Sequence, residues 1–148
     1  MCIVATVGDT SRPFCIVLGI EERIASELEE SGHEVVRASG LVWTNALATR
    51  EARRVADERP ELTVFNCPVW TFPHFTMLAA KETPGPLLLF SSIDPGQPGM
   101  VGMLAAAGAL DQIGCVYGRT RGEIHRTGYR LEHRFQQGRA KRREPRGL

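Results

Sequence analysis

Leu62-Thr63-Val64-Phe65, Pro86-Leu87-Leu88-Leu89-Phe90 and the longer run from Met100 to Ile113 decide the fold of this chain. The first two are short, nearly continuous apolar runs, the mark of strands covered on both faces. The third is long enough for a helix and stops at Gly114. No hairpin dipeptide joins the two strands. They are therefore read as parallel, connected by a crossover whose helix occupies Thr71 to Glu82.

The same alternation continues outward. Cys2 to Val7 reads as a buried strand ending at Gly8-Asp9-Thr10-Ser11, and Ile16, Leu18, Ile20, Ile24 and Leu28 recur at helical spacing before Ser31-Gly32. His33 to Ala38 is a second strand. Ala46, Ala48, Ala52, Val55 and Ala56 mark a helix that ends before Pro60. Cys115-Val116-Tyr117 reads as a short last strand. The expectation is an α/β domain, flavodoxin-like (Rossmann-like), doubly wound, with a mostly parallel sheet of four to five strands over residues 1–118 and a basic tail over 119–148.

The 148 residues suffice for one core. No apolar run approaches the about 18 residues of a membrane span, and no secretory leader is recognisable, so no membrane partner and a cytoplasmic protein are expected. Cys2, Cys15, Cys67 and Cys115 form no C-x-x-C pair and read as reduced thiols. The net charge of +1 hides an asymmetry: Gly118 to Leu148 holds ten of the 18 Lys and Arg and three of the 17 acids. Such a tail offers nucleic acid or an acidic partner a surface, although most charged extensions are simply solvated. Ile124, Leu131 and Phe135 give it too thin an apolar stripe for close packing.

In a parallel sheet, ligands bind outside the carboxyl ends of the strands. That edge should carry Asp9, Arg12, Cys67, Trp70, Phe72, His74, Ser91, Ser92 and Asp94. Cys67 and His74 lack a third, orienting group, and a packed thiol with a surface imidazole is the simpler expectation. Asp9 and Asp94 resemble the carboxylate pair of phosphoacceptor domains, but that chemistry needs a lysine after the last strand, where this chain has Arg119 and Arg121. Helix capping and loop hydrogen bonds account for both aspartates. His125 and His133 sit among arginines, a poor setting for a metal cation. Pro98-Gly99-Met100-Val101-Gly102 is not a dinucleotide fingerprint. The small residues of the helix that follows, Met103 to Leu110, point to close packing, or to a contact between subunits.

Leu62 to Cys67, the aromatic loop with Trp70, Pro86 to Phe90, Pro98-Gly99-Met100-Val101, Leu104-Ala105-Ala106-Ala107, Gln112, Gly114 and Tyr117-Gly118 together resemble the N-terminal domain of the L-fucose/L-arabinose isomerase family. The resemblance runs from about Ile3 to Gly118. It implies a parent enzyme that interconverts aldoses and ketoses with a divalent metal, usually manganese, whose ligands and acid/base residues lie on other domains. For this chain it implies no catalytic or metal-binding residue and no cofactor of its own. It further implies partnership with other isomerase domains or subunits in a homo-oligomer, and a shared sugar pocket to which Arg12 and Trp70 contribute. Trp70 should then stand partly exposed on the carboxyl edge near Arg12. The chain is accordingly expected to be a fragment or relic of such an isomerase, inactive alone. The alternative is a stand-alone flavodoxin-like binding or regulatory module with a tail for nucleic acid or an acidic partner.

Overall fold

A computed structural model describes residues 2–5, 14–83, 85–93 and 97–122, with side chains from Glu21 onward. Strands and helices alternate: β1 (Cys2–Ala5), α1 (Phe14–Glu30), β2 (Val36–Arg37), α2 (Asn45–Asp57), β3 (Thr63–Asn66), α3 (Pro73–Glu82), β4 (Leu87–Ser92), α4 (Gly99–Gln112) and β5 (Tyr117–Gly122). The sheet has five strands in the order β2-β1-β3-β4-β5, with every pairing parallel. This is the flavodoxin-like order, whose switch point lies between β1 and β3.

The two central strands are buried along their whole length, as apolar runs covered on both faces require. On one face Phe65, Leu87 and Leu89 meet Ala48, Ala52 and Val55 of α2, Phe75 and Ala79 of α3, and Met103, Ala106 and Leu110 of α4. On the other, Val64, Leu88 and Phe90 pack against Ile24, Ala25 and Leu28 of α1. No helix among the described residues is long and apolar enough to cross a membrane.

Two strands differ from the sequence reading, for one shared reason. Gly32, at φ 86°, and Gly114, at φ 68°, end α1 and α4 in the left-handed conformation. In each case the next residue folds its N–H back onto the helix, from His33 to the carbonyl of Leu28 and from Cys115 to that of Leu110. An N–H spent on a helix cap is not free for the sheet ladder. The strands therefore begin later, at Val36 rather than His33 and at Tyr117 rather than Cys115. The last strand also runs to Gly122, so residues 119–122, expected in the tail, pair with β4. The rest of the tail, with His125 and His133, lies outside the described residues.

Candidate functional site

The carboxyl edge of the sheet gathers residues 38–44 and 67–72, together with Ile93, Gln97 and Pro98, at one end of the molecule, as the parallel topology demands. Glu51 fixes the first of them. This α2 residue shares the buried side of its helix with Ala48, Ala52 and Val55 and is only 2% exposed. Its carboxylate accepts from the Ser39 amide at 2.8 Å and the Ser39 hydroxyl at 2.7 Å, and from the guanidiniums of Arg50 and Arg54. Arg54 also donates to the carbonyl of Arg37, the last residue of β2. Burial pushes the Glu51 carboxyl up, but the bonds from Ser39, Arg50 and Arg54 outweigh it and hold the pKa at about 2. Leu41 and Val42 tuck the loop into the core, leaving Trp43 exposed at its end, just before Thr44 caps α2 through the Leu47 amide.

The second loop is held by glycines. A side chain at Gly99 would meet the carbonyls of Cys67 at 2.5 Å and Pro68 at 2.8 Å, and one at Gly102 the carbonyl of Val69 at 2.8 Å. The first turn of α4 thus lies directly against residues 67–71, an approach only glycine permits. On this fixed loop Trp70 is half-buried, Phe72 is 45% exposed, and His74 is exposed, its ring 4.4 Å from that of Phe75. Pro73, at the first position of α3, starts that helix without a side-chain cap.

The sequence-derived candidates separate here. Cys67 is fully buried and unbridged, its amide bonded to the carbonyl of Phe90, whereas His74 faces solvent. The packed thiol and surface imidazole expected from sequence are what the fold contains. Trp70 stands at the expected edge, partly exposed. Arg12, Asp9 and Asp94 lie outside the described residues. Arg119 and Arg121 flank, with Met100, Met103 and Leu104, an open groove of about 270 Å³ between β5 and α4.

Three features were missed in the sequence. Glu51 is signalled by its place at helical spacing among buried alanines, and Glu21 by standing three, four and seven residues before Ile24, Ala25 and Leu28 on the inner side of α1. Glu21 is 6% exposed, and burial raises its carboxyl to about 7, only partly offset by the Arg37 charge. The third is Asn66, the last residue of β3, which is fully buried.

The described residues offer manganese no set of donors: no three of His, Cys, Asp and Glu converge among them. What the edge presents instead is an aromatic loop packed against the start of α4, beside a neighbouring loop tied to Glu51, a surface suited to stacking and hydrogen bonding. No curated protein matches the chain. A family model does, that of the L-fucose isomerase first N-terminal domain, over residues 16–129, which carries the likeness past Gly118, where the sequence reading ended it. That match spans well over half of the chain and includes α2, β3, α3, β4, α4 and β5, and with them the whole Trp70 loop. The chain belongs to the family of L-fucose isomerase first N-terminal domains.

Proposed function

We propose that this domain serves an L-fucose- or L-arabinose-type aldose–ketose isomerase as a pocket-closing and assembly module in the cytoplasm. Its carboxyl-edge loops contribute Trp70 and Arg12 to the sugar pocket of a neighbouring subunit in a homo-oligomer. The metal, the base that removes the proton and the acid that returns it belong to other domains. The observation that carries the reading is Trp70: a half-buried indole on a loop held rigidly by Gly99 and Gly102, in a domain of this family. An indole face offers the C–H face of a pyranose a flat apolar surface, and a preordered loop loses little freedom when the sugar arrives. A guanidinium supplies donors for several hydroxyls at once.

Titrating L-fucose into the full chain while following tryptophan fluorescence tests this. The chain has two tryptophans, so the Trp43→Phe variant isolates Trp70. A saturable change in the millimolar range that survives Trp43→Phe and disappears in Trp70→Phe supports the reading. A response that persists without Trp70, or none at all, contradicts it.

A further inference from the structure

Of the seven large apolar side chains exposed among the described residues, four lie on α4 or just after it: Val101, Leu104, Ile113 and Val116. Val101 and Leu104, at 54% and 50% exposure, share one face of the helix with Gly108 and Asp111, which are also exposed. The opposite face, with Met103, Ala106 and Leu110, is the one packed on the sheet. The outer side of such a helix normally carries polar side chains. This one carries two apolar side chains and a notch, since a side chain at Gly108 would meet nothing within 4 Å. A glycine in an exposed helix interior lowers stability, and nothing in the domain's own packing requires it there.

Bulk at one point of the face and a notch one turn away make the face complementary to itself. About a two-fold axis across the helix, midway between residues 104 and 108, an antiparallel copy of α4 sets Leu104 of each chain over Gly108 of the other. The charges agree with this orientation. Arg121 lies beside Met100 and Leu104, at the N-terminal end of α4, because β5 runs opposite to the helix. Asp111 stands at the other end, where its carboxylate accepts from the Tyr117 hydroxyl at 3.1 Å. In the antiparallel copy the two ends exchange, which brings Asp111 of one chain level with Arg121 of the other, on the same side of the helix pair. A parallel pairing would instead hold Arg121 level with Arg121 and Asp111 with Asp111. The chain's own continuation beyond Gly122 is a poorer match, because its eight Lys and Arg against three acids would bring further positive charge to Arg121.

We infer that α4 is a self-association face on which a second copy of this chain docks antiparallel, with Leu104 seated in the partner's Gly108 notch and Asp111 opposite the partner's Arg121. The apolar contact supplies the affinity, and the exposed ion pair sets the orientation. One helix pair buries less than the roughly 1,200 Å² of a standard interface, so the dimer is weak. The inference deepens the assembly part of the reading above and is independent of its sugar part.

Sedimentation velocity of the full chain from about 5 µM to about 0.5 mM is the test, and a reversible monomer–dimer equilibrium is expected. Leu104→Asp should weaken it at least tenfold. Gly108→Gln should do the same while raising the thermal midpoint of the dilute monomer, because glutamine is the better helix former and has open space there. Arg121→Glu and Asp111→Arg should each weaken association about threefold and together restore it. A chain that stays monomeric at the highest concentration, a dimer indifferent to Leu104→Asp and Gly108→Gln, or charge reversals that fail to restore one another would overturn the inference. So would a monomeric chain that Leu104→Asp destabilises, since its face would then be covered from within. The Trp70 fluorescence titration separates the two readings. A monomer that still responds to L-fucose leaves the pocket reading standing without this face, and a dimer through α4 with no response does the reverse.

Discussion

Glu21 and Glu51 are both buried carboxyls, yet their surroundings drive them in opposite directions. Glu51 has Ser39, Arg50 and Arg54 around it and titrates at about 2; its contribution is present above the ordinary carboxylate pKa of 4.5 and is lost as pH falls toward 2. Glu21 has burial against it and titrates at about 7. The native state therefore holds a proton on Glu21 between pH 4.5 and 7 that the unfolded chain has released, so stability falls as pH rises through that window. The upper bound on that loss is about 3 kcal/mol. Unfolding by urea at a series of pH values should give greatest stability near pH 5. Glu21→Gln should match the parent at pH 4.5 and exceed it by about 2 kcal/mol at pH 8. A parent chain as stable at pH 8 as at pH 5 would contradict this assignment. Neither glutamate was legible as a functional or structural feature from composition, because a Glu at helical spacing reads first as part of a solvated face. Their helical spacing to Ala48, Ala52 and Val55 and to Ile24, Ala25 and Leu28 is the signal that these two face inward.

At the scale of elements, the glycines of α4 have separate tasks. Gly99 and Gly102 admit the loop of residues 67–71, whereas a side chain at Gly108 would meet nothing within 4 Å. Gly99→Ala should therefore destabilise the domain by about 3 kcal/mol and loosen the Trp70 loop. Gly108→Ala, in an open helix interior, should stabilise it by about 0.5–1 kcal/mol. Thermal unfolding of the two variants decides the matter: equal effects, or a stabilised Gly99→Ala, would mean that the helix does not clamp the loop. This helix and its stop at Gly114 were legible in the run from Met100 to Ile113, and its Pro-Gly-x-Val start counted toward the family resemblance. The starts of β2 and β5 were not legible, because the cap bonds of His33 and Cys115 depend on chain direction after a left-handed glycine, which residue type alone does not specify.

For the molecule as a whole, the alternation of buried strands and amphipathic helices was readable because parallel strands covered on both faces leave continuous apolar runs, and the resemblance carried by the Trp70 loop and the start of α4 led to the family. The burial of Asn66 was not readable. An Asn at a strand end has no sequence signature of burial, and its orphaned amide follows only from the tertiary environment. The central claim is that the domain shapes a sugar pocket and leaves the chemistry to others. Moving a proton between adjacent sugar carbons requires a base at the C–H, an acid at the far oxygen and, in a metal isomerase, a cation polarising both oxygens, all within hydrogen-bond reach. The direct measurement is conversion of L-fucose to its ketose by the purified full chain with manganese. The account predicts no conversion above the protein-free blank, under conditions where the Trp70 fluorescence titration saturates. Manganese-dependent turnover that Asp94→Asn abolishes would contradict it.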